Sequence, residues 1–509
     1  MKLSILCEAA GIACPPKERD REITAIVSRS QEIVKGCLFV CIKGLHTDGH
    51  ALASAAILGG AACILVEDGA SFAQSLNGLY FSVPSTRRAL SLLCNAWYGF
   101  PTKKLRIVGV TGTNGKTTVT HMLRAILETD SRRCGIIGTL GCESNGRRLF
   151  HHGSDPLANM TTPDPEELYR ILAEMVSDGV EYVLMETSSH ALALEKTAPI
   201  TFEAAIFTNL TPEHLDFHGS MEAYAEAKAR LFASSRLSVI NLDSPWAERM
   251  IQSANGKIVT CSIEARDADY VATELSLHPQ NGAFYRLRSS TISSPIHCPM
   301  SGVFCVVNSM QAAICAMELG VDPQTVARGL SQFCGVKGRM EEVALGKGAD
   351  FRAFIDYAHT PDALETLLKS ARRMQGDAGR VILVFGCGGD RDRKKRPVMG
   401  RIATSLADFT VITSDNCRSE DPLAIIGEIL EGIDRNASFA VIPRREEAVR
   451  FAVTEARSGD LILLAGKGHE EYEITREGRR PFCEKTLIKD ALKERLGGRE
   501  NSDVTESEL

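Results

Sequence analysis

At 509 residues the chain is too long for one ordinary core, and length alone implies about three or four domains. Hydrophobic residues make up 44% and charged residues 24%, the balance of a soluble globular protein. The formal net charge of -6 excludes a basic nucleic-acid footprint and a polybasic membrane anchor, so any anionic substrate has to be held by locally placed donors.

The N-terminal stretch MKLSILCEAAGIACPP has too short an apolar run for an export signal and carries Glu8, which predicts a cytoplasmic protein. No uninterrupted apolar span approaches the ~20 residues of a membrane-crossing helix. The 16 cysteines include no Cys-x-x-Cys pair and sit in apolar runs, as at Cys37, Cys41, Cys63 and Cys315. They read as reduced core thiols, not as a zinc site.

Residues 1–102 alternate strand-like runs (GCLFVCI, ACILVED) with an Ala-rich helical stretch at 52–58. A break at 98–104 opens a second unit, 103–335. There 105–110 (LRIVGV) is a buried strand, 117–128 a helix, and VEYVLMETSS, EAAIFTNL and LSVINLD are further strands. This alternation predicts a parallel sheet flanked by helices. A second break at 333–338 opens a third unit, 336–496, with strands in FRAFIDY, RVILVFG, DFTVITSD, FAVIPR and DLILLAG. The polar, acidic stretch 497–509 is expected to be a disordered tail. The expected class is α/β in three domains.

The most specific local signal is Val108-Gly-Val-Thr-Gly-Thr-Asn-Gly-Lys-Thr-Thr118, a strand running into a glycine-rich turn and a helix. Gly112, Thr113, Asn114 and Gly115 bring backbone N–H groups toward phosphate oxygens, and the helix start at Lys116, Thr117 and Thr118 adds partial positive charge. Lys116 is placed for the β- and γ-phosphates of ATP and Thr117 for Mg²⁺. Val110 stands where the strict P-loop has its first glycine. Such a loop serves kinases, ATPases and ligases alike. Val183-Leu-Met-Glu-Thr-Ser-Ser-His190 puts Glu186 at a strand end, and 207–219 puts His214 just past another. Sites in open α/β sheets form at such ends, so both are candidate metal ligands, while His218 reads as structural.

The runs 111–118, 185–190, 208–219, 304–308, 338–341, 356–361 and 385–392 resemble, in order, motifs of the Mur ligase family of peptidoglycan synthesis, and the similarity spans residues 30–473. The resemblance implies an N-terminal α/β domain for the UDP end of the substrate, a central P-loop ATPase-like domain with a parallel sheet, and a C-terminal Rossmann-like domain for the incoming amino acid. It implies that Asn308, Arg339 and Asp356 help hold ATP, and His359 matches the histidine of the D-Y-A-H run. Lys228 in Tyr-Ala-Glu-Ala-Lys would by itself be a solvated helix lysine. The family position implies that it is carbamylated, an anionic oxygen ligand for a second Mg²⁺.

Asp415-Asn-Cys-Arg418 resembles the D-N-P-R signature of members that add meso-diaminopimelate to UDP-N-acetylmuramoyl-L-alanyl-D-glutamate, with Cys417 in the proline's place. Arg418 would clamp the distal carboxylate in bidentate fashion, which a lysine-adding enzyme has no use for. Its bland alternative is a surface ion pair with Glu420 or Asp421. Gly466 and Glu470 of Gly-Lys-Gly-His-Glu complete the amino-acid site, with Arg391, Asp415 and Asn416 beside them. At the nucleotide-sugar end the resemblance implies contacts from Ser30, from His46, Thr47 and Asp48, and from Thr161, Thr162, Ser188 and Lys196. Lys196 stands where an arginine is common, and Met160 where asparagine is.

The implied reaction is ATP-dependent amide formation through an acyl phosphate, by a monomer that binds neither nucleic acid nor membrane. Alternatives are a lysine-adding relative, a folylpolyglutamate-synthetase-like enzyme, which should lack the N-terminal unit, and a noncatalytic relative, which should have lost Lys116, Glu186 or Lys228.

Overall fold

The structure is a computed structural model that describes residues 1–15, 19–44, 47–70, 80–149, 160–265, 267–278, 280–346, 348–376, 379–434 and 436–506. Three large sheets follow one another along the chain, each covered by helices, and a two-stranded hairpin, Tyr472–Thr475 with Gly478–Pro481, accompanies the third. The first has four parallel strands in sequence order, Ile26–Val27, Leu38–Val40, Cys63–Glu67 and Tyr80–Val83. Its middle strands are apolar except for the terminal Glu67 because both faces are covered, one by the helices Leu3–Ala10 and Thr86–Trp97.

The second sheet has eleven strands. Its centre is built on β1 (Arg106–Thr111), β2 (Tyr182–Glu186) and β3 (Ala204–Phe207), parallel and adjacent in the order β3-β1-β2. α1 (Lys116–Thr129), α2 (Met221–Ala233) and α3 (Val303–Glu318) flank it. The register pairs Val110 with Glu186 and Thr111 with Phe207, so three strand ends lie side by side at one edge of the core. The sheet is parallel only in its middle. Antiparallel strands, Gly141–Ser144 and Arg147–Leu149 on one side and Gly282–Arg288 and Ser293–Cys298 on the other, extend it. They escape a pattern reading because they are short flanking strands with exposed positions and no continuous apolar run.

The third sheet has six strands around β4 (Arg352–Asp356), β5 (Val381–Phe385), β6 (Phe409–Ile412) and β7 (Leu461–Ala465), ordered β4-β7-β5-β6 and parallel. Every residue of β5 and β7 is buried. Each such side chain contributes ~1.5–3 kcal/mol, so a charge at Val384 would break this core. α4 (Pro361–Gln375) packs on one face.

The final helix, α5 (Glu484–Glu506), is anchored in its first half by Ile488, Ala491 and Leu492 against the third sheet's core. The cysteines are free thiols, mostly buried, and Cys334 is the exposed exception.

Candidate active site

The phosphate loop joins β1 to α1. A Cβ on Gly112 would lie 1.8 Å from Thr208 Oγ1, and one on Gly115, whose φ is +89°, would lie 2.6 Å from Asn308 Oδ1, so only glycine fits either place. The loop is pinned from the β3 side. Thr113 N donates to the Asn209 carbonyl at 3.0 Å, Asn114 N to Asn209 Oδ1 at 2.9 Å, and Thr208 Oγ1 to the Asn114 carbonyl at 2.6 Å. Lys116 Nζ folds back to donate to the carbonyls of Gly112 and Thr113, both at 2.9 Å. Thr118 is buried in the first turn of α1.

Glu186 is fully buried at the end of β2. Its Oε2 accepts from Thr117 Oγ1 at 3.0 Å and Thr139 Oγ1 at 2.9 Å, and its Oε1 from Thr139 N at 3.0 Å. Lys228, on α2, is buried and donates to the Gly112 carbonyl at 2.9 Å, with Nζ 4.6 Å from the Tyr224 ring centre. Burial and the neighbouring Lys116 push its pKa well below that of an ordinary lysine. It is therefore no solvated helix lysine.

His214 caps a short helix at φ +56° and packs edge-on against His190 at 4.8 Å. Its Nε2 is 3.6 Å from Glu213. Burial lowers His190, His214 and His218 alike to about 4, so all three are neutral near pH 7. His218 hydrogen-bonds Ser189 Oγ at 2.9 Å and stacks on Tyr224. Against the upward push of burial, the hydrogen bond from His359 and the charges of His214, His359 and Lys116 hold Glu213 well below the usual carboxylate range.

Contacts from the phosphate loop and from the Glu213 turn reach across to the third sheet unit. Asn114 Nδ2 donates to Asp362 Oδ2 at 2.8 Å, Arg339 Nη2 to Thr117 Oγ1 at 3.3 Å, and His359 Nε2 lies 3.3 Å from Glu213 Oε1. The Arg339 guanidinium sits 4.4 Å from the Tyr357 ring centre. Asp356 is engaged by Met340 N and Ala358 N, both at 2.7 Å, and burial raises its pKa. Sequence reasoning missed Glu213, Asp362, Thr139 and Tyr357. Glu213 lies beside His214 in an already suspicious run, which is the one signal that would have found it.

A magnesium ion fits the donors present. The Thr117 hydroxyl and the Glu186 carboxylate converge as hard oxygen ligands, and Glu186 is held rigidly enough that a Cβ on Gly138 would meet its Oε1 at 2.3 Å.

A cavity of about 490 Å³ opens between the second and third sheet units, lined by Thr139, Tyr357, Arg391, Arg418, His469 and Glu470 among others. Arg418 has a left-handed φ of +52° and donates to the Gly389 carbonyl at 2.7 Å. Arg391 donates to the Asp390 carbonyl at 3.0 Å, and burial with the nearby Arg418 lowers its pKa. Neither guanidinium has a carboxylate partner among the described residues. Glu420 is taken by Arg393 and Arg396, and Asp421 caps the helix Pro422–Leu430, so the surface ion pair for Arg418 is absent. Glu470 Oε2 accepts from Asn416 Nδ2 at 2.7 Å, and burial together with nearby Asp415 raises its pKa. Gly466, at φ +115°, passes so close to Asp415 that a Cβ would lie 2.4 Å from its Oδ2. Cys417 is buried, and Arg418 N donates to the Ile474 carbonyl at 3.1 Å, which fixes the turn without a proline.

The residues expected at the nucleotide-sugar end are only partly gathered. Thr161 Oγ1 lies 3.2 Å from Thr139 Oγ1, and Thr162 Oγ1 donates to the Glu186 carbonyl at 2.8 Å and accepts from Ser188 N at 3.1 Å. Lys196 is buried and paired with Asp164 at 2.8 Å, with Met160 Sδ at 3.4 Å. Asp164 also accepts from Arg29 at 2.6 Å, which brings the exposed neighbour Ser30 toward this cluster. Thr47 and Asp48 bond within their own loop, to Gly44 and His50, and His46 lies outside the described residues.

Comparison with known proteins agrees with this geometry. Residues 110–316 match the family model of the Mur ligase middle domain, and 338–468 that of the Mur ligase glutamate ligase domain. The chain is 41% identical to the UDP-N-acetylmuramoyl-L-alanyl-D-glutamate--2,6-diaminopimelate ligase of Syntrophomonas wolfei, over 97% of this chain and 99% of that one. It is 40% identical to the ligase of the same name from Caldanaerobacter subterraneus, over 93% and 95%. A solved structure of a ligase of that name superposes with a TM-score of 0.68 at 32% identity, covering 97% of this chain and 99% of that one. Among the described residues no helix is long and apolar enough to cross a membrane.

Proposed function

The chain belongs to the Mur ligase family, and from that premise we propose that it adds meso-diaminopimelate to the D-glutamyl γ-carboxylate of UDP-N-acetylmuramoyl-L-alanyl-D-glutamate, using ATP. The observation that carries the choice of amino acid is the pair Arg391 and Arg418, two cations without carboxylate partners facing one cavity, with Glu470 on its wall. That set complements a distal carboxylate and a distal ammonium. A lysine offers no carboxylate for these guanidiniums, so the pair would contribute nothing to its binding.

Residues 1–102 take the UDP end, 103–335 hold ATP, and 336–496 bring the amino acid. The loop amides of Gly112–Thr118 and the Lys116 ammonium hold the ATP phosphates, and Lys116 leaves its two carbonyl partners to do so. Thr117 and Glu186 would hold Mg²⁺, with a second ion at carbamylated Lys228 and His214 alongside. The metal's contribution is to neutralise charge on the transferring phosphoryl group. The γ-carboxylate oxygen attacks the γ-phosphorus as the bond to ADP breaks, giving an acyl phosphate. The amine then attacks the carbonyl, the C–O bond to phosphate breaks, and phosphate leaves with the amide formed. Arg418 and Glu470 orient the amino acid, and the contacts from Asp362, Arg339 and His359 bring its domain onto the phosphate loop.

A single chain supplies every group, so a cytoplasmic monomer suffices. The noncatalytic alternative is disfavoured because Lys116, Glu186 and Lys228 are all present, with Glu186 and Lys228 buried and Lys116 sharing the Gly112 carbonyl with Lys228. Carboxylate-labelled UDP-dipeptide tests the chemistry. One labelled oxygen is expected in the released phosphate, and unlabelled phosphate would rule out the acyl phosphate.

A further inference from the structure

Lys467 follows β7 between two glycines and is completely buried. Its Nζ donates to Asn416 Oδ1 at 3.0 Å and to the Tyr472 carbonyl at 3.1 Å. Asn416 Oδ1 accepts a second hydrogen bond, from Ile474 N at 2.9 Å. A carboxamide has two ends of nearly the same shape, and an acceptor can stand at only one of them. Two donors at one end therefore fix it as oxygen. The other end, Nδ2, is then committed to Glu470 Oε2 at 2.7 Å. If the amide were turned over, its oxygen would face the Glu470 carboxylate and its N–H groups would face an ammonium. Among the described residues nothing donates to the remaining oxygen of Glu470, which lines the amino-acid cavity.

An aliphatic side chain would fill the space of Lys467 without the cost of burying a charge, but it would remove one of the two donors that fix the amide and leave Ile474 N to hold it alone. The ammonium also lies near buried Asp415, where it and Arg445 favour the ionised carboxylate against the opposing effect of burial. We propose that Lys467 is a positioning residue for the incoming amino acid, which acts through Asn416 to hold the Glu470 carboxylate where the distal ammonium docks. This inference rests on the proposed role of Glu470 in amino-acid recognition.

The test uses the full chain with ATP, Mg²⁺ and the UDP-dipeptide, and compares wild type with Lys467→Met, Asn416→Ala and the double variant. Lys467→Met is expected to raise the KM for meso-diaminopimelate about tenfold, the scale of one lost charge-assisted hydrogen bond. The kcat and the KM values for ATP and UDP-dipeptide should stay within about twofold, since the ligand acts at the amino-acid site alone. The double variant should be no worse than Asn416→Ala, because the lysine acts through the asparagine. Preference for diaminopimelate over 2-aminopimelate, which lacks the distal amine, should collapse in Lys467→Met. Equal loss for all three substrates, effects that multiply in the double variant, or an unchanged preference would overturn the inference. If Lys467→Met does not fold, Lys467→Gln, which keeps a donor, replaces it. An intermediate rise in the diaminopimelate KM is then expected, and no rise overturns the inference. A wild-type enzyme that does not use diaminopimelate would instead refute the functional reading, before any variant is compared.

Discussion

Lys116 and Lys228 donate to the same oxygen, the carbonyl of Gly112, each at 2.9 Å. Two ammonium groups in one buried site repel each other, and burial already lowers the pKa of both. Lys228 as a free amine is a nucleophile for carbon dioxide, and its carbamate would turn the repulsion into an attraction. Protein equilibrated with ¹³C-bicarbonate is expected to show a carbamate carbon resonance that Lys228→Ala lacks. The variant should lose about 100-fold or more in kcat, the usual scale for a lost electrostatic element. Partial recovery with short carboxylic acids is expected. Full activity in Lys228→Ala would refute the role.

Gly115 meets Asn308, and the contact predicts a specific loss. In Gly115→Ala the new Cβ would be 2.6 Å from Asn308 Oδ1 at a left-handed φ. Strain of ~1–3 kcal/mol should weaken binding of a nonhydrolysable ATP analogue by about tenfold or more. Calorimetric titration checks this, and the affinity for UDP-dipeptide should be unaffected.

Much of this loop was legible in the sequence because its chemistry is local. Gly112 and Gly115 stand where only glycine fits, and Lys116 and Thr117 follow at the start of the helix, as that run of residues suggests. A role for Arg418 could be proposed only through resemblance, since nothing in its neighbours says that Glu420 would be claimed by Arg393 and Arg396. What could not be read are pairings across the fold. Asn114 and Asp362 are 248 positions apart, and Asp362 alone looks like an ordinary first-turn acid of α4.

The histidine cluster predicts how stability depends on pH. His190, His214 and His218 have folded pKa values near 4, below the 6.5 of a free imidazole, because burial opposes their charge. The unfolded chain therefore binds more protons between 6.5 and 4. Their contribution is intact above 6.5, and stability falls as pH drops through that window. The urea midpoint, measured in a chelator, should fall from pH 7.5 to pH 5, conditions of roughly neutral and half-protonated free imidazole or beyond. His218→Asn should lessen that fall, and an equal fall would show that His218 carries none of it.

The central claim is the choice of amino acid, and a competition panel tests it most directly. Purified protein with ATP, Mg²⁺ and UDP-N-acetylmuramoyl-L-alanyl-D-glutamate is offered meso-diaminopimelate or L-lysine, and phosphate release and product mass are followed, with Arg418→Ala alongside. Wild type should favour diaminopimelate by a factor of about 100 or more in kcat/KM, as expected when a site built to hydrogen-bond a substrate group rejects the analogue that lacks it. Arg418→Ala should lose most of that preference. Equal or better use of lysine by the wild type would contradict the account.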